Sequence, residues 1–261
     1  MASRFLGFST IVYRIFPRFP PKISDKLERD PRLRIRFFQH AGLPGATTER
    51  EFFRTFSRIV DLRDPWPDHA FEDEDQFISA LATQMWNAAA GGVGKLSQRL
   101  DHIHHFACHC DTEPKDSSNY SLLLSHKGGR RAKKWEQPVT IKQLRSEFGR
   151  YRKDMPRPLP KESYPLAFLN ACGTSKTIPT ALTSFPKGFL RTYRGVIGTE
   201  TPIPDDFAAA FSAKFYARFV RGYSLGEALH RARWDFLQQS CNPLGILYTA
   251  YANPDLCVIE N

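Results

Sequence analysis

At 261 residues and a formal net charge of +10, the chain is long enough for one substantial domain or two small ones. Its 41% hydrophobic and 13% aromatic content excludes a wholly disordered polymer, and no apolar run approaches the ~18 residues needed to span a bilayer. Five cysteines, an odd number without framework spacing, argue against a disulfide scaffold and for reduced thiols in the cytoplasm.

Residues 1–30 read as an N-terminal extension or a strand docking on the core. Arg4, Arg14 and Arg18 interrupt any signal-peptide core, and no small-residue cleavage site follows. Residues 32–40 (RLRIRFFQH) read as the first core strand. A turn at Leu43-Pro44-Gly45 leads to a helix from about Glu49, capped by Thr47 or Thr48, with Phe52, Phe53, Phe56 and Ile59 on one face. Residues 72–86 read as a second amphipathic helix whose acids at its start suit the helix dipole. Gly91, Gly92 and Gly94 resemble a phosphate loop only superficially, because no Gly-Lys-Ser/Thr ending follows and no strand precedes them. No internal repeat is visible, so any sensor is expected on a separate chain.

Residues 101–110 (DHIHHFACHC) read as an apolar strand ending on His109. Its His102, His104, His105, Cys108, His109 and Cys110 suggest zinc by type but not by spacing. Along a strand, residues four apart lie about 13 Å apart, so His105 and His109 cannot ligate one ion. No metal is expected, and His102, His104 and His105 read as structural. Residues 111–119 read as a polar loop. Residues 120–125 and 139–141 frame a hairpin with a basic tip at 127–130, and 141–151 reads as a helix. Pro156, Pro158 and Pro160 make an extended loop.

Residues 165–173 (PLAFLNACG) form a second apolar run ending on a reactive side chain, Cys172, and residues 195–199 (GVIGT) form a third. Between these runs, 173–186 reads as a mobile loop. Buried runs separated by helices imply an open, mostly parallel α/β sheet, whose sites form beyond the carboxyl ends of its strands. One crevice there would receive both His109 and Cys172. A thiolate beside an imidazole is a nucleophile with its acid/base partner. The plainer reading of Cys172 is a buried small hydrophobe, and Cys241 and Cys257 are given that reading. Ala171-Cys172-Gly173, with His109 63 positions before Cys172, partly matches the caspase signature. That signature has Gln where Asn170 stands and Gly where Thr174 stands. The remaining elements are a helix over 207–220 capped by Asp205-Asp206 and ended by Gly222, a helix over 225–239 with Ser224 and Glu227 as a capping box, and a last strand over 245–252.

Charge is uneven. Residues 127–161 carry 12 basic against three acidic side chains, whereas 59–126 carry four basic against 11 acidic. The basic segment suits a protein partner or a solvated insertion more than nucleic acid, since only Trp135 and Tyr151 interleave it.

The order of HFACH (105–109), FLNAC (168–172), GVIGTETPIPD (195–205) and LGILYTAYANPDL (244–256), after LPGATTE (43–49), resembles a CHAT domain over roughly residues 30–261. This is the caspase-like module related to caspases, metacaspases and separase. The resemblance implies a caspase-like three-layer α/β sandwich, with a mostly parallel central sheet and helices on both faces. The domain would span 31–261, with a basic insertion at about 126–162. It also implies a cysteine endopeptidase working through a Cys172 thioester with His109 as general acid/base. The oxyanion would be held by the backbone N–H groups of Cys110 and Cys172, although Cys110 stands where the clan usually has Gly. In metacaspases and separase an acidic residue selects Arg or Lys. By resemblance that residue is Asp205, with Glu200 and Asp206 beside it, while the plainer reading of Asp205 is a helix cap. No cofactor is implied. The implied partners are a protein or peptide substrate and a sensor or activator protein in a bacterial defence or cell-death pathway, with no nucleic acid and no membrane. The alternative is an inactive caspase-like interaction module docking through its basic insertion.

Overall fold

The computed structural model describes residues 10, 11, 13, 24–90, 101–111, 120–127, 135–154, 164–171, 185–190 and 192–260. In chain order the elements are β1 (Lys26–Arg29), β2 (Leu33–Gln39), α1 (Pro44–Arg54), β3 (Val60–Leu62), α2 (Glu74–Ala90), β4 (Ile103–Ala107), β5 (His109–Asp111), β6 (Ser121–Leu124), β7 (Gln137–Thr140), α3 (Ile141–Asp154), β8 (Leu166–Asn170), α4 (Phe185–Phe189), β9 (Gly195–Thr199), α5 (Asp205–Phe219), α6 (Leu225–Ser240), a 3-10 helix (Pro243–Leu247), β10 (Tyr248–Tyr251) and β11 (Cys257–Glu260).

Every residue of β4, β8 and β9 is buried, the pattern of strands covered on both faces. They lie inside a six-stranded sheet ordered β10-β9-β8-β4-β2-β3. All pairings are parallel except that of β10 with β9. Alternation along the strands sorts the core. Ile103, Ala107, Leu166 and Phe168 pack with Phe53 of α1, with Phe211, Phe215 and Phe219 of α5 and with Leu229 of α6. Phe106, Ala167 and Leu169 pack on the opposite face with Phe77 and Leu81 of α2, Leu144 and Phe148 of α3 and Phe189 of α4. Helices on both faces of a mostly parallel sheet make the three-layer α/β sandwich that the sequence leads one to expect. The chain runs from β2 outward to β3 and then back across to β4, so strand order reverses between β2 and β4. Such a switch point opens a crevice beyond the carboxyl ends of the strands.

Several local expectations are corrected. The strand expected over 101–110 is broken at Cys108. Residues 103–107 stay in the central sheet, whereas β5 joins a separate three-stranded sheet ordered β5-β6-β7. That sheet contains the expected hairpin, and of its expected tip at 127–130 residues 128–130 lie outside the described residues, as do Gly91, Gly92 and Gly94, residues 112–119 of the polar loop, and Pro156, Pro158 and Pro160. Neither Thr47 nor Thr48 caps α1. The helix starts earlier, at Pro44, which suits a first turn, and Gly45 donates its N–H to Asp205 Oδ2 at 2.7 Å. A Cβ on Gly45 would lie 2.4 Å from the Asp205 carboxylate, so only glycine allows this approach. Nor does Asp205-Asp206 cap α5 from outside. Both are in its first turn after Pro204, which makes no side-chain cap. Of the loop expected over 173–186, residues 185–186 begin α4. The last strand is shorter than expected, because Pro243 starts a 3-10 helix capped by Asn242. A further strand, β11, follows and pairs in parallel with β1. Ser224 does cap α6 by accepting the Glu227 N–H at 3.2 Å, and Gly222, with φ +91°, follows α5.

Candidate active site

Adjacent strands β4 and β8 run parallel and in register, the last pair being Ala107 with Asn170. His109 and Cys172 each stand two positions beyond that pair in sequence. Cys172 itself lies outside the described residues. The chain reaches it through Ala171, whose carbonyl accepts the Thr199 hydroxyl at 2.9 Å.

His109 opens β5, opposite Leu123 of β6. Strand alternation turns its side chain and that of Asp111 outward, while Cys110 between them packs against the core of the α2 face. Cys110 lies opposite Leu122 in the same ladder. The sheet carrying His109 is fastened to the central sheet just past β2. His40 N–H donates to the Ala107 carbonyl at 2.8 Å, Ala41 N–H to that of Ser125 at 2.9 Å, and Ser125 N–H to that of Gln39 at 3.1 Å. The His40 ring meets the His109 ring at 4.8 Å and 65°, edge to face.

Beneath the end of β8 lies a buried polar cluster. Asn170 Nδ2 donates to Glu49 Oε1 at 2.9 Å, and Asn170 Oδ1 accepts from the Tyr248 hydroxyl. Glu49 Oε2 accepts from Ser212 Oγ at 2.7 Å and stands 2.6 Å from His105 Nε2. His105 Nδ1 lies 3.1 Å from the Tyr216 hydroxyl. Burial, then the Glu49 charge, raise the Tyr216 phenol well above its ordinary pKa, so it stays protonated and donates to His105. On the other face His104 Nδ1 contacts the Tyr193 hydroxyl at 2.6 Å. His102 Nδ1 accepts the Arg34 N–H at 2.9 Å. These three imidazoles thus serve the fold, each with a partner from another element.

The acidic residues expected to bind substrate follow β9. Glu200 is half-buried, and its N–H donates to the Leu247 carbonyl at 2.9 Å. Asp206 is exposed. Asp205, bonded to Gly45, ties α5 to the start of α1.

Sequence reasoning missed His40, Glu49 and Glu136. Glu49 carried a signal, since it lies on the stripe of α1 with Phe52, Phe53 and Phe56, where a carboxylate is out of place unless partnered. His40 carried another, because it ends a buried strand as His109 nearly does.

A family model described as the CHAT domain matches residues 26–255. The chain belongs to the CHAT domain family. This CHAT domain is 37% identical over 92 residues to a "Probable protease" of Vitiosangium sp. (strain GDMCC 1.1324), a match covering 34% of the chain and 12% of that protein. In fold it resembles the "Arg specific cysteine proteinase gingipain R", with a TM-score of 0.50 at 10% identity over 86% of this chain and 47% of that one. It resembles equally a complex of Porphyromonas gingivalis RgpB pro- and mature domains, with a TM-score of 0.50 at 10% identity over 86% of this chain and 48% of that one. At that identity the likeness concerns the fold, which is caspase-like. The chain spans about an eighth of the curated relative and about half of each gingipain chain. Among the described residues no helix is long and apolar enough to cross a membrane.

Proposed function

We propose that this CHAT domain is a cysteine endopeptidase. The observation that supports the reading is the in-register pairing of β4 with β8, whose last pair, Ala107 with Asn170, stands two positions before His109 and Cys172 in sequence, with the topological switch point on the other side of β4, between it and β2. Cys172 Sγ, as thiolate, attacks the scissile carbonyl carbon. The resulting oxyanion is held by the N–H groups of Cys110 and Cys172. His109 protonates the departing amine as the C–N bond breaks, leaving a thioester. It then takes a proton from water, whose oxygen displaces the thiolate.

Glu200, Asp205 and Asp206, which follow β9, support a preference for Arg or Lys before the scissile bond. The basic excess over 127–161 suits an acidic face of a regulatory partner, in keeping with a switched role in defence or cell death. Five cysteines without framework spacing suit a reducing compartment such as the cytoplasm.

The test is hydrolysis of matched peptides differing only in Arg, Asp or Leu before the cleaved bond, with Cys172→Ala and His109→Ala as controls. The reading expects cleavage of the Arg peptide by the wild type alone. Preferred cleavage after Asp would overturn the basic specificity. Equal turnover by Cys172→Ala would overturn the mechanism.

A further inference from the structure

The proposed chemistry does not use His40, whose ring meets that of His109. It is buried at the carboxyl end of the first core strand, on the β2 side of the switch point where His109 stands on the β4 side. Its two nitrogens face different groups. Nδ1 accepts the Gly42 N–H at 3.2 Å, so in the neutral ring the proton is on Nε2. That nitrogen faces Glu136 Oε1 at 3.3 Å, in electrostatic reach but off the line of a hydrogen bond. Its contact with the His109 ring is edge to face. Its backbone is held by Ala107, and the next residue by Ser125.

We propose that His40 is a positioning residue: a fixed aromatic wall whose edge-to-face contact holds the His109 ring in its working orientation. Burial, then the His109 charge, push the His40 pKa below its ordinary value while Glu136 opposes them. A neutral wall is what the site requires, because His109 becomes an imidazolium in the catalytic cycle and a second cation at 4.8 Å would repel it. A neutral ring avoids that repulsion. A proton relay from Glu136 through His40 is disfavoured, since Nδ1 is taken by Gly42.

The rate prediction rests on the peptidase reading, but the structural prediction does not. His40→Ala, His40→Phe and His40→Gln are compared in the full chain by two readouts: order of the His109 ring by side-chain carbon relaxation, and kcat and KM separately. His40→Ala is expected to loosen the His109 ring and to lower kcat about ten- to a hundredfold, the scale of a small misplacement of a reacting group, with KM within about twofold. Phe should restore ring order and most of kcat, whereas Gln, which keeps polar contacts but has no ring, should not. If Ala prevents folding, the Phe–Gln comparison decides. Ring order in Phe no better than in Gln, or a Gln variant indistinguishable from wild type, overturns the proposal. A wild type that cleaves nothing, with ring order still following the aromatic wall, counts against the peptidase reading and leaves the wall standing.

Discussion

The carboxylate of Glu49 joins α1 to β8, β4 and α5 through Asn170, His105 and Ser212. Removing one member of such a buried set strands the others without water. Glu49→Ala is expected to lower unfolding free energy by about 3–5 kcal/mol in urea titrations, and Glu49→Gln by less, since it keeps an acceptor. Asp205 separates two roles in one residue. Asp205→Asn keeps an acceptor for the Gly45 N–H but loses the charge. If Asp205 helps select basic substrates, the Arg-to-Leu ratio of kcat/KM should fall about tenfold, or about 1.4 kcal/mol, with little change in melting temperature. A fall in stability with an unchanged ratio would assign Asp205 to the α1 tie alone. His102 predicts an acid limb. Burial, then the Arg34 charge, lower its pKa from 6.5 to about 3. As pH falls through 6.5 the unfolded chain gains a proton that the folded chain refuses until about pH 3. Stability present above pH 6.5 is therefore lost across that window, by about 1.4 kcal/mol per unit for this group. His102→Gln, which can still accept the Arg34 N–H, should make that slope shallower by one proton in urea unfolding from pH 7 to 4.

Among the elements, those legible in the sequence share one property: their signals are local. The buried runs β8 and β9 stand out as short apolar stretches, α5 as an apolar stripe, and α6 by its Ser224 cap. The misses depend on partners far along the chain. The break at Cys108 follows from β6 offering Leu123 and Leu122 to His109 and Cys110, which no feature of residues 101–110 announces. The start of α1 depends on Asp205, 160 positions away. The strand β1 is fixed by β11 and by Arg194, a buried residue whose guanidinium donates to the carbonyls of Tyr164 at 2.6 Å and Lys26 at 2.7 Å. Arg194→Ala should therefore loosen the β1–β11 edge first. Hydrogen exchange is expected to speed up at residues 26–29 and 257–260, while β4 and β8 stay protected. Uniform loss of protection would mean that β1 is integral to the central core.

At the scale of the whole molecule, the three-layer sandwich and the family were both readable from motif order, and the family match over residues 26–255 agrees with the range over which those motifs run. Of the candidate site, reactive residue types at the ends of apolar runs singled out His109 and Cys172 in the sequence, and Cys172 lies outside the described residues. His40 shared that signal, as the end of a buried strand, whereas Glu136 meets His40 only through the fold, 96 positions along the chain. If His109 and Cys172 work as one hydrolytic pair, as proposed, mapping new protein N-termini in cells expressing the wild type, Cys172→Ala or His109→Ala is the decisive measurement. A set of cuts after Arg or Lys should appear with the wild type and vanish in both variants. The same set of termini in all three would contradict it.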